Sequence, residues 1–253
     1  MPGLRTLLAL LLVSLVSLGC ASGSARRDSG EPLAIVRIEC AYTNSYLLLG
    51  SRVVVIDPGP PGNAKRLLRI LRHRGHTPQD VALIVVTHGH ADHAGAAAEL
   101  RARTGAPIVA GAGDAAMIDR GHNDKLEPTG PAGRRILPFI GQDYPGFIPD
   151  LEVVDDLDLH AFGLPARLLV TPGHTPGSLV LALDDGRAIG GDLVRGKFTA
   201  RSRPVLHFFH ADPGAAHQQL AALLDRHGVR RLHPGHGHAL AEPDLRAYLR
   251  TVK

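Results

Sequence analysis

Residues 87–93 read Thr-His-Gly-His-Ala-Asp-His, so three imidazoles and one carboxylate lie within seven consecutive positions. The preceding residues 81–86, Val-Ala-Leu-Ile-Val-Val, are apolar and rich in β-branched side chains, which predicts a buried strand. A helix is predicted to follow, to about residue 103. Neutral imidazole and carboxylate are the ligands that divalent metals such as zinc select.

The spacing of these four side chains predicts more than one metal ion. On a regular strand His88, His90 and Asp92 would share one face, and the turn into the helix would re-aim His93. One ion cannot readily use all four groups, so the stretch predicts two adjacent ions. A polar turn in a chain with 15 histidines is the alternative, but buried His and Asp are costly unless they are satisfied.

Length and composition exclude several classes of protein. The 253 residues suit one large domain or two small ones, and a hydrophobic content of 44% is ordinary for a globular chain with a sizeable core. The formal charge of +4 is small and diffuse, which gives no support for nucleic acid as a partner. We therefore expect a small-molecule substrate, and no oligomeric state is predicted.

Residues 1–20 predict an export signal. Arg5 supplies a positive start, and residues 7–18 form an apolar stretch too short to span a bilayer. The segment ends in Gly-Cys and resembles a bacterial lipoprotein cleavage site, which predicts acylation of Cys20 and a periplasmic or outer-membrane-associated protein anchored by lipid. Positions 17 and 18 depart from the usual site, so ordinary signal-peptidase cleavage within residues 21–25, giving a soluble secreted protein, is the alternative.

The remaining chain is predicted to be a tether followed by one folded domain. Residues 21–32 are rich in Ser, Gly and charged side chains, which favours a flexible tether, and residues 33–253 form the domain. Cys40 has no Cys or His at ligand spacing and is assigned no chemistry.

The periodicity within the domain predicts two halves, each with several strands, a helix, and a strand that ends in histidines. The first half has strands over 34–39, 45–49, 52–56 and 81–86 and a helix over 63–74. The second half has strands over 156–162, 167–170, 179–183, 187–189 and 229–232, a helix capped by Asp212, and a last helix from Pro243. Residues 119–150 lack periodicity and predict a functional loop. Such alternation predicts an α/β (α+β) fold, a four-layer αββα sandwich of two mixed sheets with outer helices.

The motif His-x-His-x-Asp-His, followed in order by His174, Asp192 and His236, resembles the metallo-β-lactamase-fold hydrolases. The resemblance covers essentially the whole chain after residue 33 and implies the same αββα sandwich, with metals at one edge. It implies two divalent ions, with Zn²⁺ the expected metal and Fe or Mn also compatible with these ligands. The implied ligands are His88, His90 and His174 for the first ion, Asp92, His93 and His236 for the second, and Asp192 as the bridge.

The resemblance also implies a mechanism. Two dications that share a water lower its pKa, so that a bridging hydroxide forms near neutral pH and attacks carbon or phosphorus. Among the ligands, Asp92 is expected to be catalytic. Asp57 ends a strand in Ile-Asp-Pro-Gly, a pattern shared with the family, and is expected to orient the loops that carry the ligands. A simple turn aspartate before proline is the alternative for Asp57.

Several residues differ from those of particular branches of the family, and these differences reduce the number of candidate reactions. Asp192 stands where true β-lactamases commonly carry Cys, and Arg195 stands where lactonases of acyl-homoserine lactones place Tyr. Flavin-coupled diiron members carry Glu at the position of His90. About 17 residues follow His236, too few for the helical glutathione-binding segment of hydroxyacylglutathione hydrolases. We therefore expect a hydrolase of a small ester, thioester, lactone or phosphoester. A catalytically silent metal- or ligand-binding lipoprotein is the alternative, and a true β-lactamase is less favoured.

Two further groups of side chains near Asp192 have open roles. A basic run favours an anionic substrate group, with a solvated loop as the alternative; it consists of Arg195, Lys197, Arg201 and Arg203. His207 and His210 match no position of the motif. Family members place this region beside the active site, so substrate contact and a packing or surface role both stay open.

Overall fold

The computed structural model describes residues 33–197 and 203–252. The strands are β1 Ala34–Cys40, β2 Thr43–Leu49, β3 Val53–Ile56, β4 Val81–Val86, β5 Ile108–Gly111, β6 Leu151–Val153, β7 Leu157–Asp158, β8 Ala166–Val170, β9 Leu179–Leu183, β10 Arg187–Ile189, β11 Arg195–Gly196, β12 Pro204–Val205, β13 Arg231–His233 and β14 Leu240–Ala241. The helices are α1 Ala64–His73, α2 Ala91–Ala94, α3 Ala97–Thr104, α4 Ala115–Arg120, α5 Pro131–Ile136, α6 Pro213–Asp225 and α7 Glu242–Thr251.

Twelve of these strands form two mixed sheets of six strands each. The first sheet has the order β1-β2-β3-β4-β5-β6, antiparallel from β1 to β3 and parallel from β3 to β6. The second has the order β14-β13-β10-β9-β8-β7, in which only β10 and β13 run parallel. Parallel pairs need crossovers, and helices of the first half and α6 supply them.

Three apolar clusters hold four layers together. One lies between the two sheets, where Tyr46 and Leu48 of the first sheet join Leu168 and Leu181 of the second. The second packs the outer face of the first sheet against α1 and α3, and the third packs the outer face of the second sheet against α6 and α7. The predicted αββα sandwich of two mixed sheets with outer helices is therefore confirmed.

Local sequence explains the helices that cover these faces. In α1, Leu67 and Leu71 are buried while the neighbouring Arg66 and Arg69 are exposed, as an amphipathic helix requires. The N-terminus of α6 carries the predicted cap: the Asp212 carboxylate accepts the backbone N–H of Ala215 at 2.9 Å, with proline at the first helical position.

Several predicted elements differ from the structure. The segment 119–150 is not free of elements, because α5 and a 3₁₀ turn at Leu137–Phe139 lie within it. The strand predicted over 156–162 ends at Asp158, whose carboxylate accepts the backbone N–H of His160 at 2.8 Å and so favours a 3₁₀ turn there. The strand before the motif ends at Val86 and the following helix is split into α2 and α3, so strand alternation does not place the histidines.

The signal over residues 1–20, with Cys20, and the tether over 21–32 lie outside the described residues. Within residues 33–197 and 203–252, no helix combines the length and apolar character needed to cross a membrane.

Candidate metal centre

The predicted ligands meet at one edge of the sandwich because the strands before them all end there. Residues 87–93 follow β4, and Asp57 follows β3 beside it. From the second sheet, His174 follows β8, Asp192 follows β10 and His236 follows β13. The carboxyl ends of parallel strands share an edge, so this convergence is a property of the topology.

The first predicted ligand group is brought together in the structure. One ring nitrogen from each of His88, His90 and His174 lies within 4.8 Å of the others, and all three side chains are buried. The Nε2 atom of His174 lies 3.0 Å from the Nδ1 atom of His90. The Nδ1 atom of His174 lies 2.9 Å from the Phe209 carbonyl oxygen and donates to it, which directs the other nitrogen of the ring into the cluster.

The second predicted ligand group lies beside the first. The Asp92 Oδ2 atom lies 3.5 Å from Nε2 of His93 and 3.4 Å from Nε2 of His236. Both Asp92 and His93 belong to α2, whose first turn carries them towards the second sheet. The Nδ1 atom of His236 donates to the Tyr42 carbonyl oxygen at 2.7 Å, so Nε2 of this ring also faces the cluster.

Asp192 lies between the two groups. Its Oδ2 atom is 3.5 Å from Nε2 of His174 and 3.2 Å from Nε2 of His236. Its Oδ1 atom is 3.5 Å from Nε2 of His93. One carboxylate thus contacts imidazoles of both groups, which is the arrangement that a bridging ligand requires.

The electrostatics of the cluster suit a cation. Burial lowers the pKa of His88 and His174 well below the ordinary value, so these rings are neutral. Burial alone would raise the pKa of Asp192, but the imidazoles of His207 and His236 outweigh it and hold that pKa well below the ordinary value. Burial alone would lower the pKa of His236, yet Asp192 raises it to about 9. An ion that binds beside His236 therefore displaces a proton from that ring, whereas His88 and His174 are already neutral.

Two buried atoms make the fit to metal ions specific. Among the described residues, Nε2 of His88 and Oδ1 of Asp192 have no hydrogen-bond partner although both are buried. Orphaned buried polar atoms are costly, and coordination of an ion would satisfy both. The residues therefore form His/Asp clusters that can hold divalent metal ions.

Asp57 contacts two residues of the loop that carries the first ligands, Thr87 and His93. Its Oδ1 and Oδ2 atoms accept the backbone N–H and the hydroxyl of Thr87, each at 2.7 Å. Oδ2 also lies 2.9 Å from Nδ1 of His93. Asp57 is buried and has a positive φ of 50°, so it is held in place at the end of β3. These contacts are those expected of a residue that orients the ligand loop.

Asp114 is a functional residue that the sequence reasoning missed. Its buried carboxylate accepts the N–H of Gly89 at 2.8 Å, the hydroxyl of Thr175 at 2.7 Å and the N–H of Gly177 at 2.8 Å. It therefore fastens the loop after β4 to the loop that carries His174. No motif marks Asp114 in the sequence; only its position after a short apolar strand could have suggested it.

His207 also joins the cluster, although it matches no position of the motif. Its Nε2 atom lies 3.2 Å from Oδ2 of Asp192, and His174, Asp192 and His207 form a further group of potential metal ligands. His210 is buried with its ring centre 5.2 Å from that of His174, and neither of its ring nitrogens has a hydrogen-bond partner within the described part of the chain.

Among the described residues of the basic run after Asp192, Arg195 lies close enough to the cluster for its charge to interact with that of Asp192. The guanidinium carbon of Arg195 lies 3.9 Å from the centre of the Phe208 ring, an arrangement that favours a cation–π contact. The backbone of Lys197 donates to the carbonyl oxygen of Arg203, and Arg203 is exposed. Arg201 lies outside the described residues.

Comparison with known proteins agrees with this geometry. A family model of the metallo-beta-lactamase superfamily matches residues 38–238. A beta-lactamase-like protein 2 homolog of Drosophila melanogaster is 28% identical, over 79% of this chain and 60% of its own. A probable metallo-hydrolase of Methanocaldococcus jannaschii is 25% identical, over 77% and 87%. A hydroxyacylglutathione hydrolase of Anaeromyxobacter dehalogenans is 29% identical, over 77% and 61%. The chain thus spans about three fifths of the fly and Anaeromyxobacter relatives. These names support a hydrolase in general terms.

Solved structures show the same fold. The Rm3 metallo-beta-lactamase superposes with a TM-score of 0.60 and 22% identity, covering 85% of this chain and 86% of that one. A metallo-beta-lactamase family protein of Thermus thermophilus superposes with a TM-score of 0.60 and 24% identity, covering 87% and 78%. With the matched family model and the converging ligand loops, these findings lead to one conclusion: the chain belongs to the metallo-β-lactamase superfamily.

Proposed function

We propose that the protein is a binuclear metal-dependent hydrolase of a small ester, thioester, lactone or phosphoester. The observation that carries the proposal is the position of Asp192, whose carboxylate contacts imidazoles of both ligand groups. His88, His90 and His174 would hold one ion, and Asp92, His93 and His236 the other. Zn²⁺ suits this set of donors, which iron and manganese also accept.

The bound ions would polarise the attacked group and activate water at neutral pH. The chain's own residues set the geometry for this. Asp92 lines the cavity beside the cluster, and its pKa is held below the ordinary value because the imidazoles of His93 and His236 outweigh the effect of burial. An ionised carboxylate there is ready to serve as a metal ligand, and it can accept a hydrogen bond that orients a water or a substrate hydroxyl. Asp57 holds His93 of the loop after β4, and Asp114 links the same loop to the loop that carries His174.

Metal quantification followed by a substrate panel tests this function. We expect about two ions per chain by mass spectrometry of the purified protein, and turnover of at least one ester, thioester, lactone or phosphoester. Asp192→Asn should lower metal affinity at least about tenfold, because it removes a charge that both sites share. Asp143→Asn, which changes an exposed carboxylate that pairs with the exposed His122, is the matched control.

The second candidate, a metal-binding protein without turnover, makes different predictions. It requires stoichiometric metal with no hydrolysis across esters, thioesters, lactones and phosphoesters, and an Asp92→Ala variant whose hydrolysis assays are indistinguishable from those of the parent. The hydroxyacylglutathione hydrolase among the relatives is the reason that thioesters belong in the panel. A β-lactam belongs there too, and we expect no turnover of it because Asp192 stands where true β-lactamases commonly carry Cys.

We further propose that the protein is exported and anchored by a lipid on Cys20. Gly-Cys at the end of an apolar stretch of signal length supports this. Cys20→Ser should move the protein from the membrane fraction to the soluble fraction. An unchanged distribution would reject the lipid anchor on Cys20.

A further inference from the structure

A cavity of about 310 Å³ opens directly onto the metal centre. The polar side of the cavity is formed by His90, Asp92, Asp192 and His236 together with His207. The apolar part of the lining is named the apolar wall, and it includes Leu126, Ile136, Phe139, Ile140 and Phe208. The volume is at the lower end of the range for small-ligand sites.

The apolar wall is a built surface and not a chance exposure of side chains. The helix α5 and the turn after it supply Ile136 and Phe139, while Phe208 comes from the loop before α6. The two segments are joined by the backbone N–H of Thr129, which donates to the Phe208 carbonyl oxygen at 2.9 Å. Arg195 stacks on the Phe208 ring and fixes it from the side.

Two exposed aromatic side chains belong to the lining of this cavity. Phe139 is 85% exposed and Tyr42 is 48% exposed, and both line the cavity. The other large hydrophobic side chains with high exposure among the described residues, Ile148 and Val154, do not line it. A large apolar surface left in water beside a reactive centre is typical of a site that a ligand covers.

Among its described residues, the apolar wall offers no cationic side chain that could pair with an anionic acyl group. No Lys or Arg lines it within residues 33–197 and 203–252, and its carboxylates belong to Asp92 and Asp192. Arg195 contacts the Phe208 ring and is not part of the lining. The anionic group expected from the basic run therefore has no partner among the described lining residues.

We propose that the substrate is an uncharged ester, thioester or lactone whose acyl group is apolar and lies against the apolar wall. This inference rests on the proposed function. In the reaction, water adds its oxygen to the acyl carbon, the bond from that carbon to the leaving oxygen or sulfur breaks, and one proton of the water passes to the leaving group. An ester or thioester gives a carboxylic acid and an alcohol or thiol, and a lactone gives a single hydroxy acid.

A chain-length series on the metal-loaded protein tests the inference. 4-Nitrophenyl acetate, butyrate and hexanoate differ only in the methylenes that reach the wall. We expect kcat/KM to rise about fourfold for each methylene, as full burial of a methylene group predicts. The half-ester of adipic acid replaces the terminal methyl of the hexanoate by a carboxylate, and we expect it to react at least about tenfold more slowly than the hexanoate.

Variants of two exposed side chains test whether the apolar wall causes the rise of kcat/KM with chain length. Phe139→Ala should lower the ratio of hexanoate to acetate kcat/KM about fivefold, because it removes part of the wall. Ile148→Ala truncates another exposed apolar side chain, away from the cavity, and should leave that ratio unchanged. Acetate hydrolysis with no rise towards hexanoate, or faster hydrolysis of the adipate half-ester, would overturn the inference while leaving the proposed function intact.

A binding measurement on the metal-free protein tests the apolar wall independently of hydrolysis. The neutral fluorescent probe N-phenyl-1-naphthylamine should bind the metal-free protein, and Phe139→Ala should weaken this binding at least about threefold relative to Ile148→Ala. Probe binding that both variants leave equal would contradict an apolar acyl site. In another outcome, the metal-loaded protein hydrolyses none of the esters while the metal-free protein binds the probe in this pattern. That result would reject the proposed reaction and support an apolar ligand.

Discussion

The Oδ2 atom of Asp57 lies 2.9 Å from the Nδ1 atom of His93, at the junction of β3 and the first ligand loop. This contact leaves Nε2 of His93 directed at Asp92 and Asp192. A carboxylate behind a metal-binding imidazole fixes the orientation of the ring and raises its basicity. The strength of metal binding should therefore depend on a residue that is itself outside the predicted ligand set.

Asp57→Asn tests this dependence. We expect metal affinity to fall by about 10-fold to 100-fold, because an amide is a weaker acceptor for the imidazole N–H. Competition with a chelating dye measures the affinity. Asp143→Asn is the matched control, since Asp143 contacts the exposed His122 at 2.7 Å. Equal affinities of the two variants would show that Asp57 is only a turn residue.

Gly235 leaves room for the centre, and Gly235→Ala should disrupt it. A Cβ atom at this position would overlap Oδ1 of Asp192 and lie 2.6 Å from Cε1 of His93. We expect at least about a tenfold loss of metal affinity and a destabilisation of about 1–3 kcal/mol in denaturant unfolding. Gly130→Ala is the control, because that glycine is extended and a Cβ atom added to it would meet no other atom within 4 Å. A Gly235→Ala variant with normal metal binding would mean that the backbone moves at no cost.

His207→Ala should weaken the part of the centre built on His174 and Asp192. The Nε2 atom of His207 lies 3.2 Å from Oδ2 of Asp192, and its Nδ1 atom lies 3.2 Å from the Phe209 carbonyl oxygen that also accepts from His174. We expect about a tenfold loss in affinity for one of the two ions. Titration followed by mass spectrometry resolves the two steps. His160→Ala, an exposed histidine between two carboxylates, should bind both ions like the parent.

His233 is not one of the predicted metal ligands, and it should make the free energy of unfolding depend on pH. Burial lowers its pKa to about 4, below the value of about 6.5 for an unfolded histidine. Between these values the unfolded chain binds more protons than the folded chain, so stability is lost as the pH falls from about 6.5 to about 4. The slope has an upper limit of about 1.4 kcal/mol per pH unit, reduced by the partial exposure of the ring.

A comparison of the metal-free parent with metal-free His233→Phe isolates this effect. The variant should lose less stability than the parent over that range in urea unfolding, while the ligand histidines contribute equally to both. Parallel curves would show that His233 keeps its ordinary titration in the fold.

The sequence indicates where the ligand loops lie because each follows a predicted strand. His88 follows the apolar run of β4, His236 follows the short strand β13, and parallel strands bring their carboxyl ends to one edge. Asp57 could be predicted for the same reason. The αββα layers follow from the alternation of strands and amphipathic helices, and the observed clusters between the layers agree with it.

Other parts depend on contacts between distant segments and leave no local pattern. The helix α5 has six residues, begins at proline and contains Gly133, so its sequence is typical of a loop. It packs where Gly133 lets it approach the Phe208 carbonyl oxygen. Asp114 and His207 reach the centre from segments that carry no motif. Each is defined by its partners in the fold, and a single sequence does not show those partners.

The division of the centre between the two sheets has a consequence for the folding of the domain. Four of the predicted ligands, at positions 88 to 93, come from the first sheet, while His174, Asp192 and His236 come from the second. Ions that bind both sets link the opening of one sheet to the opening of the other. Amide hydrogen exchange of β4 and β13 should therefore slow together when metal is added. Chelation should let the two halves of the sandwich open as separate units.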